Sequence, residues 1–208
     1  MQLTSDDLID GQAIPARFAF GRLDQGQPMV FSDNVSPHLS WSDVPEGTKS
    51  FALLCVDPDV PSVADDVNQA GKVIPTDLAR VDFYHWVMID VPSAVRELPQ
   101  GSCGQGVVEG GKTNPPGPEG SRQGMNNYTQ FMADSDLEGE YFGYDGPCPP
   151  WNDERLHHYH FTLYALDVAQ LDVPQRFDGP TVIEAMQGHI LAQASLMGSY
   201  TLNPDLNA

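Results

Sequence analysis

The sequence predicts a mainly β protein in which antiparallel strands precede one helix near the carboxyl end. Three runs have the length and the pattern of β-strands: 50–56 is continuously apolar, and in 81–91 and 157–166 alternate positions share a face. The chain also contains 19 Gly and 18 Pro, which favour turns and rigid loops over long helices. Many strands followed by a helix indicate a β domain with the helix packed at one end.

The first of these runs, SFALLCV at 50–56, is typical of a strand buried on both faces. Pro58 and Pro61 follow it, and two prolines so close together disfavour a central strand. We therefore expect this strand to end near Val56, with Asp57 and Asp59 at its carboxyl end.

The other two runs alternate, so successive side chains face opposite sides of a sheet. In 81–91 this pattern places His85 on one face with Val81, Phe83, Val87 and Ile89. In 157–166 it places His157 and Tyr159 on one face, with His158 and His160 on the other.

The predicted helix begins near Thr181, where Thr181 and Glu184 have capping-box spacing and Pro180 precedes them. Gly198 is a suitable stop. Apolar residues recur between these ends at helical spacing: Ile183, Met186, Ile190, Ala194 and Met197.

The length of 208 residues predicts a single domain over 1–208. Within it the polar segment 62–80 and the Gly/Pro-rich segment 101–124 are expected to be long surface loops. A net charge of −19, from 29 acidic and 10 basic residues, argues against binding to nucleic acid or to anionic membranes.

No apolar run is long enough to span a bilayer, and the first residues lack the pattern of a secretory signal. Cys55, Cys103 and Cys148 are odd in number and widely spaced, so they do not indicate a disulfide framework. A cytoplasmic location with reduced thiols is the expectation.

The stretch 141–166 is the strongest candidate for a site, because a rigid loop (GPCPP, 146–150) is followed by histidines on a strand. His157, Tyr159 and the amide of Gly146 are hydrogen-bond donors that together suit a phosphate or carboxylate. The alternative is that Tyr159 belongs to the core and His157 is partly exposed.

Asp57 and His85 are candidates for a second wall of the same site. Asp57 also fits a turn that it caps through its own backbone. His85, on an apolar strand face, also fits a satisfied core histidine. Both alternatives stay open at the level of local sequence.

Other chemistries have weaker signals. His158 and His160 have spacing that can chelate a metal, but no third or fourth ligand is evident, so no metal and no cofactor are predicted. Cys148 lacks a placed base, which favours a loop-lining role over a nucleophile. Neither a GxSxG elbow nor a phosphate-binding P-loop is present.

Four motifs, in order, resemble the phosphatidylethanolamine-binding protein family in its bacterial Raf-kinase-inhibitor-like branch: DPDVP (57–61), YHWVMIDVP (84–92), YDGPCPP (144–150) and LHHYHFTLYAL (156–166). SPHLSW (36–41) and GHILAQASLMGSY (188–200) are also similar to that branch. The resemblance covers roughly residues 14–200. It implies a β-sandwich of two antiparallel sheets with peripheral helices, and a homodimer is suggested by bacterial relatives.

The resemblance also implies a small anion-binding pocket near the surface. Its residues, carried over by motif, are Asp57, His85, Gly146, Pro150, His157 and Tyr159. Three departures stand out: the 62–80 segment is longer than usual, His158 stands where Arg is common, and Cys148 stands where eukaryotic members often have Gly.

The leading hypothesis is therefore a binding protein for a small anionic ligand bearing a phosphate or carboxylate group, such as a phospholipid headgroup. A hydrolase that uses Asp57 and a histidine as acid and base is one alternative. A regulator that binds a protein partner through the pocket rim or the 62–80 segment is another.

Overall fold

The computed structural model describes residues 1–206 and is mainly β, as predicted. Its strands are β1 (Gln2–Thr4), β2 (Gln12–Ala13), β3 (Gly21–Asp24), β4 (Gln27–Phe31), β5 (Leu39–Ser42), β6 (Ser50–Pro61), β7 (Arg80–Pro92), β8 (Glu97–Leu98), β9 (Arg122–Gln123), β10 (His157–Leu166) and β11 (Ile190–Tyr200). Its α-helices are α1 (Tyr128–Phe131) and α2 (Gly179–Ala185).

The central sheet has the strand order β2-β11-β10-β6-β7-β9, and a smaller sheet has the order β1-β5-β8. Strands β3 and β4 form a separate hairpin. The expectation of purely antiparallel sheets is wrong in one place, because β2 runs parallel to β11 at the edge of the central sheet.

The hydrophobic core lies on both faces of the central sheet. On one face, residues of the smaller sheet such as Leu39 and Trp41 share a cluster with Phe51 and Phe161 of the central sheet. On the other face, Val182 of α2 belongs to a second cluster with residues of β6 and β7. The central strands β6, β7 and β10 are therefore covered on both sides, which explains their apolar sequences.

Strand β6 does not end near Val56, so that prediction is wrong; it continues to Pro61. Beyond Val56 it pairs with β7 alone, because its pairing with β10 stops there. The register with β7 also shifts between Asp57 and Val60, which accommodates one extra residue. A one-sided, bulged strand end tolerates proline because few amide donors are needed there.

The predicted alternation of β7 is broken at His85. Cys55 pairs with Trp86 and Val56 pairs with Tyr84, so His85 is the extra residue of a β-bulge. Val87 belongs to the core cluster on the α2 side, whereas His85 lines a cavity with Tyr159 on the opposite side. The prediction that His85 shares a face with Val87 is therefore wrong, and the bulge is what redirects its side chain.

The predicted helix over 181–197 is much shorter in the structure. Its N-cap is Asp178 rather than Thr181, and Gly188, with φ of 81°, follows its end in the left-handed region. Residues 190–200 form strand β11 instead, paired with β10 along its length. Ala194, Leu196 and Tyr200 also fit a period of two, and pairing with β10 selects that period.

Between its named strands, the chain forms irregular segments at 62–79 and 99–121. Within residues 1–206, no helix combines the length and the apolar character needed to cross a bilayer.

We expect Asp178→Ala to destabilise the protein by about 1 kcal/mol, since the Asp178 carboxylate accepts hydrogen bonds from the amide and hydroxyl of Thr181 at 3.0 and 2.6 Å. Chemical denaturation measures the change. Asp172→Ala removes the same charge from an exposed position and is the control. Equal stabilities of the two variants would contradict the assigned cap.

Candidate functional site

A cavity of ≈ 300 Å³ opens beside the central sheet, and five of the six predicted site residues line it: Asp57, His85, Pro150, His157 and Tyr159. They come from β6, β7, β10 and the loop before β10. The structure therefore brings together residues that are up to 102 positions apart in the chain. Gly146, the sixth, does not line the cavity.

His157 is fully buried and lies between two carboxylates. Its Nδ1 is 2.7 Å from Oδ2 of Asp57, and its Nε2 is 3.1 Å from Oδ2 of Asp153. Burial alone would lower the pKa of His157, but the hydrogen bonds to Asp153 and Asp57 outweigh it and raise this pKa to about 9. The ring is thus an imidazolium at neutral pH, and both of its N–H groups donate to carboxylates.

Arg80 completes a chain of alternating charges behind the cavity. Its guanidinium donates to both oxygens of Asp153, at 2.5 and 3.0 Å, and its side chain is only 6% exposed. Asp57, His157, Asp153 and Arg80 together carry no net charge. Pairing at every step is what allows four ionised groups to be buried.

His85 is held by the loop that precedes β10. Its Nδ1 donates to the carbonyl oxygen of Asp145 at 2.8 Å, because a carbonyl can only accept. Burial lowers the pKa of His85 below its ordinary value, which favours the neutral ring. In that tautomer Nε2 carries a lone pair and acts as a hydrogen-bond acceptor.

Asp145, which sequence reasoning did not select, anchors this loop. Its buried carboxylate accepts hydrogen bonds from Asn34 at 2.7 Å and from Asn126 at 2.9 Å, and it forms an ion pair with Lys112. Its backbone amide donates to the carbonyl of His85 at 3.0 Å. The only signal in the sequence was its place inside the YDGPCPP motif.

The hydroxyl of Tyr159 is buried and has no hydrogen-bond partner among residues 1–206. Burial raises the pKa of this phenol well above its ordinary value, so the hydroxyl keeps its proton. Its ring lies 5.1 Å from that of His85, measured between centroids. An unpaired buried hydroxyl is unfavourable, and such groups call for an explanation in a folded protein.

Gly146 acts in the loop rather than in the cavity. Its amide donates to the side-chain oxygen of Asn34 at 2.8 Å, and its carbonyl accepts from the hydroxyl of Tyr128 at 2.8 Å. A Cβ at this position would overlap the carbonyl oxygen of Phe18, so only glycine fits. The predicted ligand-binding amide is therefore already engaged within the protein.

The outer part of the cavity is apolar, which sequence reasoning did not predict. Phe20, Phe31, Phe83 and Phe131 contribute aromatic side chains to it. They come from segments distant in sequence, so no local pattern indicates their proximity. No Lys or Arg side chain is among the described residues that line the cavity.

His158, His160 and Cys148, the other candidates from the sequence, have no evident role in binding or chemistry. His158 bonds to Asp59 at 2.8 Å, on the face away from His157, and His160 is exposed. No cluster of His, Cys, Asp or Glu within residues 1–206 has an arrangement suited to a metal ion. Cys148 lines the cavity, but burial raises its pKa to about 12, so it is a thiol rather than a reactive thiolate.

This geometry argues against acid–base chemistry by the Asp57–His157 pair. The Asp57–His157 pair that a hydrolase would use does form. However, the second nitrogen of His157 faces Asp153 rather than the cavity, so the ring has no free lone pair for a substrate proton.

The doubly paired His157 predicts a specific pH dependence. A histidine pKa raised from about 6.5 to about 9 stabilises the fold fully below pH 6.5, and this contribution is lost as the pH rises through 9. We expect the free energy of unfolding to fall by about 3 kcal/mol over this interval, at about 1.4 kcal/mol per pKa unit.

Chemical denaturation of the wild type and of His157→Gln across this pH interval measures the effect. The variant lacks the titrating group, so the stability difference between the two proteins should shrink as the pH rises. Parallel stability curves would show that His157 does not hold its proton as described.

Comparison with known proteins agrees with the fold and with the motifs. The family model described as phosphatidylethanolamine-binding protein matches residues 4–201. The UPF0098 protein YbhB of Escherichia coli is 33% identical over 201 residues, covering 97% of this chain and 100% of its own. A UPF0098 protein of Aquifex aeolicus is 37% identical over 169 residues, covering 80% of this chain and 74% of its own.

Among solved structures, the crystal structure of Escherichia coli YbcL, titled a new member of the mammalian PEBP family, superposes with a TM-score of 0.68. It is 29% identical, and the match covers 96% of this chain and 97% of YbcL. The chain therefore belongs to the phosphatidylethanolamine-binding protein family.

Proposed function

We propose that this protein binds a small ligand through a phosphate or carboxylate group placed at the floor of the cavity. The floor is the polar part of the lining, formed by Asp57, His85, His157 and Tyr159. The observation that carries the proposal is the unpartnered hydroxyl of Tyr159, a buried donor at a cavity with room for a small molecule. A ligand oxygen that accepts from this hydroxyl would remove the unfavourable unpaired state.

His85 supplies the complementary group. With Nδ1 donating to Asp145, its Nε2 accepts a hydrogen bond when the ring is neutral. A singly protonated phosphate has both an oxygen for Tyr159 and a P–OH for His85. A fully ionised phosphate instead requires His85 to take up a proton, so either route adds one proton to the complex.

Asp57 and His157 shape the floor of the cavity but offer no free hydrogen-bond donor to a ligand. The carboxylate of Asp57 is held by His157 and by the amide of Asp59 at 2.8 Å, which fixes its position at the cavity. It would repel a doubly charged anion and accept a hydrogen bond from a ligand N–H or O–H.

Titration of histidine ring NMR signals with inorganic phosphate and with phosphoethanolamine tests the proposal. We expect the signals of His85 to shift at millimolar ligand. Affinity for phosphoethanolamine should fall as the pH rises above about 6, where phosphate esters lose their second proton. Signals of His85 that stay unchanged at millimolar concentrations of both ligands would refute the proposal.

We expect Tyr159→Phe to weaken phosphate binding by about tenfold, because hydrogen bonds to charged groups contribute roughly 1.5–3 kcal/mol. The same change should leave the folding stability equal or slightly higher, since the hydroxyl has no partner within residues 1–206. Binding titration and thermal unfolding measure the two effects. Tyr164→Phe, on β10 but outside the cavity, is the matched control. Unchanged affinity in Tyr159→Phe would exclude the hydroxyl as a ligand-binding group.

A further inference from the structure

We infer that the 62–79 segment is the wall of the cavity that selects ligands carrying an apolar group beside their anionic head, and that Asn152 is the positioning residue that holds this wall. The favoured class is an aryl or branched-alkyl phosphate or carboxylate. The inference rests on the proposed function and extends it from the floor of the cavity to its side.

The 62–79 segment contributes directly to the cavity. Ala64, Val67 and Asn68 line it together with Pro61 at the end of β6. The aromatic side chains of Phe31 and Phe131 line the same cavity and are about half exposed. A ligand group that extends outward from Tyr159 and His85 therefore meets apolar side chains rather than bulk water.

This wall has almost no hydrophobic core of its own. Ile74 is the only buried residue between positions 62 and 79, whereas Val63 and Val73 are 51% and 55% exposed. Its conformation must therefore depend on hydrogen bonds to the rest of the protein. Such a segment has low local stability unless those bonds are numerous.

Among the described residues, the side chain of Asn152 supplies four of these bonds, more than any other side chain. Its amide nitrogen donates to the carbonyls of Asp66 at 2.8 Å, Lys72 at 3.1 Å and Gln69 at 3.4 Å. Its side-chain oxygen accepts from the amide of Asn68 at 2.9 Å. One asparagine, only 6% exposed, thus fixes four positions of the wall. Arg80 and Arg155 hold the later part of the segment through three of its backbone carbonyls.

Neighbouring backbone groups continue the attachment. The carbonyl of Asn152 accepts from the amide of Ile74 at 3.0 Å, and the amide of Trp151 donates to the side chain of Asn68 at 3.0 Å. Asp153, the next residue, is the one that holds His157. The apolar wall and the polar floor are therefore attached to consecutive residues of one short segment.

The consequence is a separation of roles that affinity measurements can detect. Inorganic phosphate reaches only the floor, so its affinity should not depend on the wall. Phenyl phosphate places its ring against Val67 and the aromatic residues. Its affinity should therefore depend on the wall and on Asn152.

Val67→Ala and Val73→Ala form a matched pair, since both lie in the 62–79 segment and only Val67 lines the cavity. We expect Val67→Ala to weaken phenyl phosphate binding by about fivefold, through loss of apolar contact, and to leave phosphate binding unchanged. Val73→Ala should change neither. Isothermal titration with the two ligands measures these affinities.

Asn152→Ala should weaken phenyl phosphate by tenfold or more while phosphate binding changes less than twofold, because the wall is released and the floor is kept. Trypsin cleavage after Lys72 measures separately how firmly Asn152 holds the wall, because Lys72 is the only Lys or Arg between positions 62 and 79. Cleavage there should be faster in Asn152→Ala than in the wild type, and phenyl phosphate should slow it in the wild type more than phosphate does.

The outcomes separate the two proposals. A wild type that binds neither ligand would overturn the proposed function, and this inference with it. If the wild type binds both ligands but Val67→Ala and Val73→Ala have equal affinities for phenyl phosphate, only the proposed role of the wall is refuted. Unchanged cleavage after Lys72 in Asn152→Ala would overturn the role of Asn152.

Discussion

The imidazolium of His157, held between the buried carboxylates of Asp57 and Asp153, is the interaction on which the site depends. It ties β6 to β10 and to the loop before β10, so three separate segments meet at one ring. Removing the positive charge would leave two carboxylates buried without their common partner, which is strongly unfavourable. Arg80 extends the chain of charges to the start of β7 and makes it neutral as a whole.

A neutral charge chain explains how a protein with a net charge of −19 can offer a site for an anionic group. No Lys or Arg side chain among the described residues lines the cavity. Under the proposed function, recognition would therefore depend on hydrogen bonds close to the ligand, with Tyr159 as donor and His85 as acceptor. Such a site distinguishes protonation states of the ligand, because a lone pair and an extra negative charge repel one another.

The side of the cavity is built differently from its floor. The floor consists of buried, hydrogen-bonded groups on β-strands, and its geometry is fixed by the sheet. The wall is a long segment with little buried surface, attached through Asn152 and through the side chains of Arg80 and Arg155. Under the proposed function, the rigid floor would hold the anionic head of the ligand, and the wall of low local stability would select its apolar group.

The sequence by itself determined the mainly β class and the bounds of β10, since apolar runs and alternation are local properties of the chain. Local motifs offered Asp57, His85, His157 and Tyr159 only as candidates, and the family resemblance placed them in one pocket with Pro150. The sequence did not reveal the continuation of β6 to Pro61, the bulge at His85 or the end of α2 at Ala185. These depend on which neighbouring strand supplies hydrogen bonds, and residues 190–200 fit both helical and strand periods until β10 is beside them. The partners Asp145, Asp153 and Asn152 were equally hidden, because a buried side chain acquires its role only when distant segments of the chain meet around it.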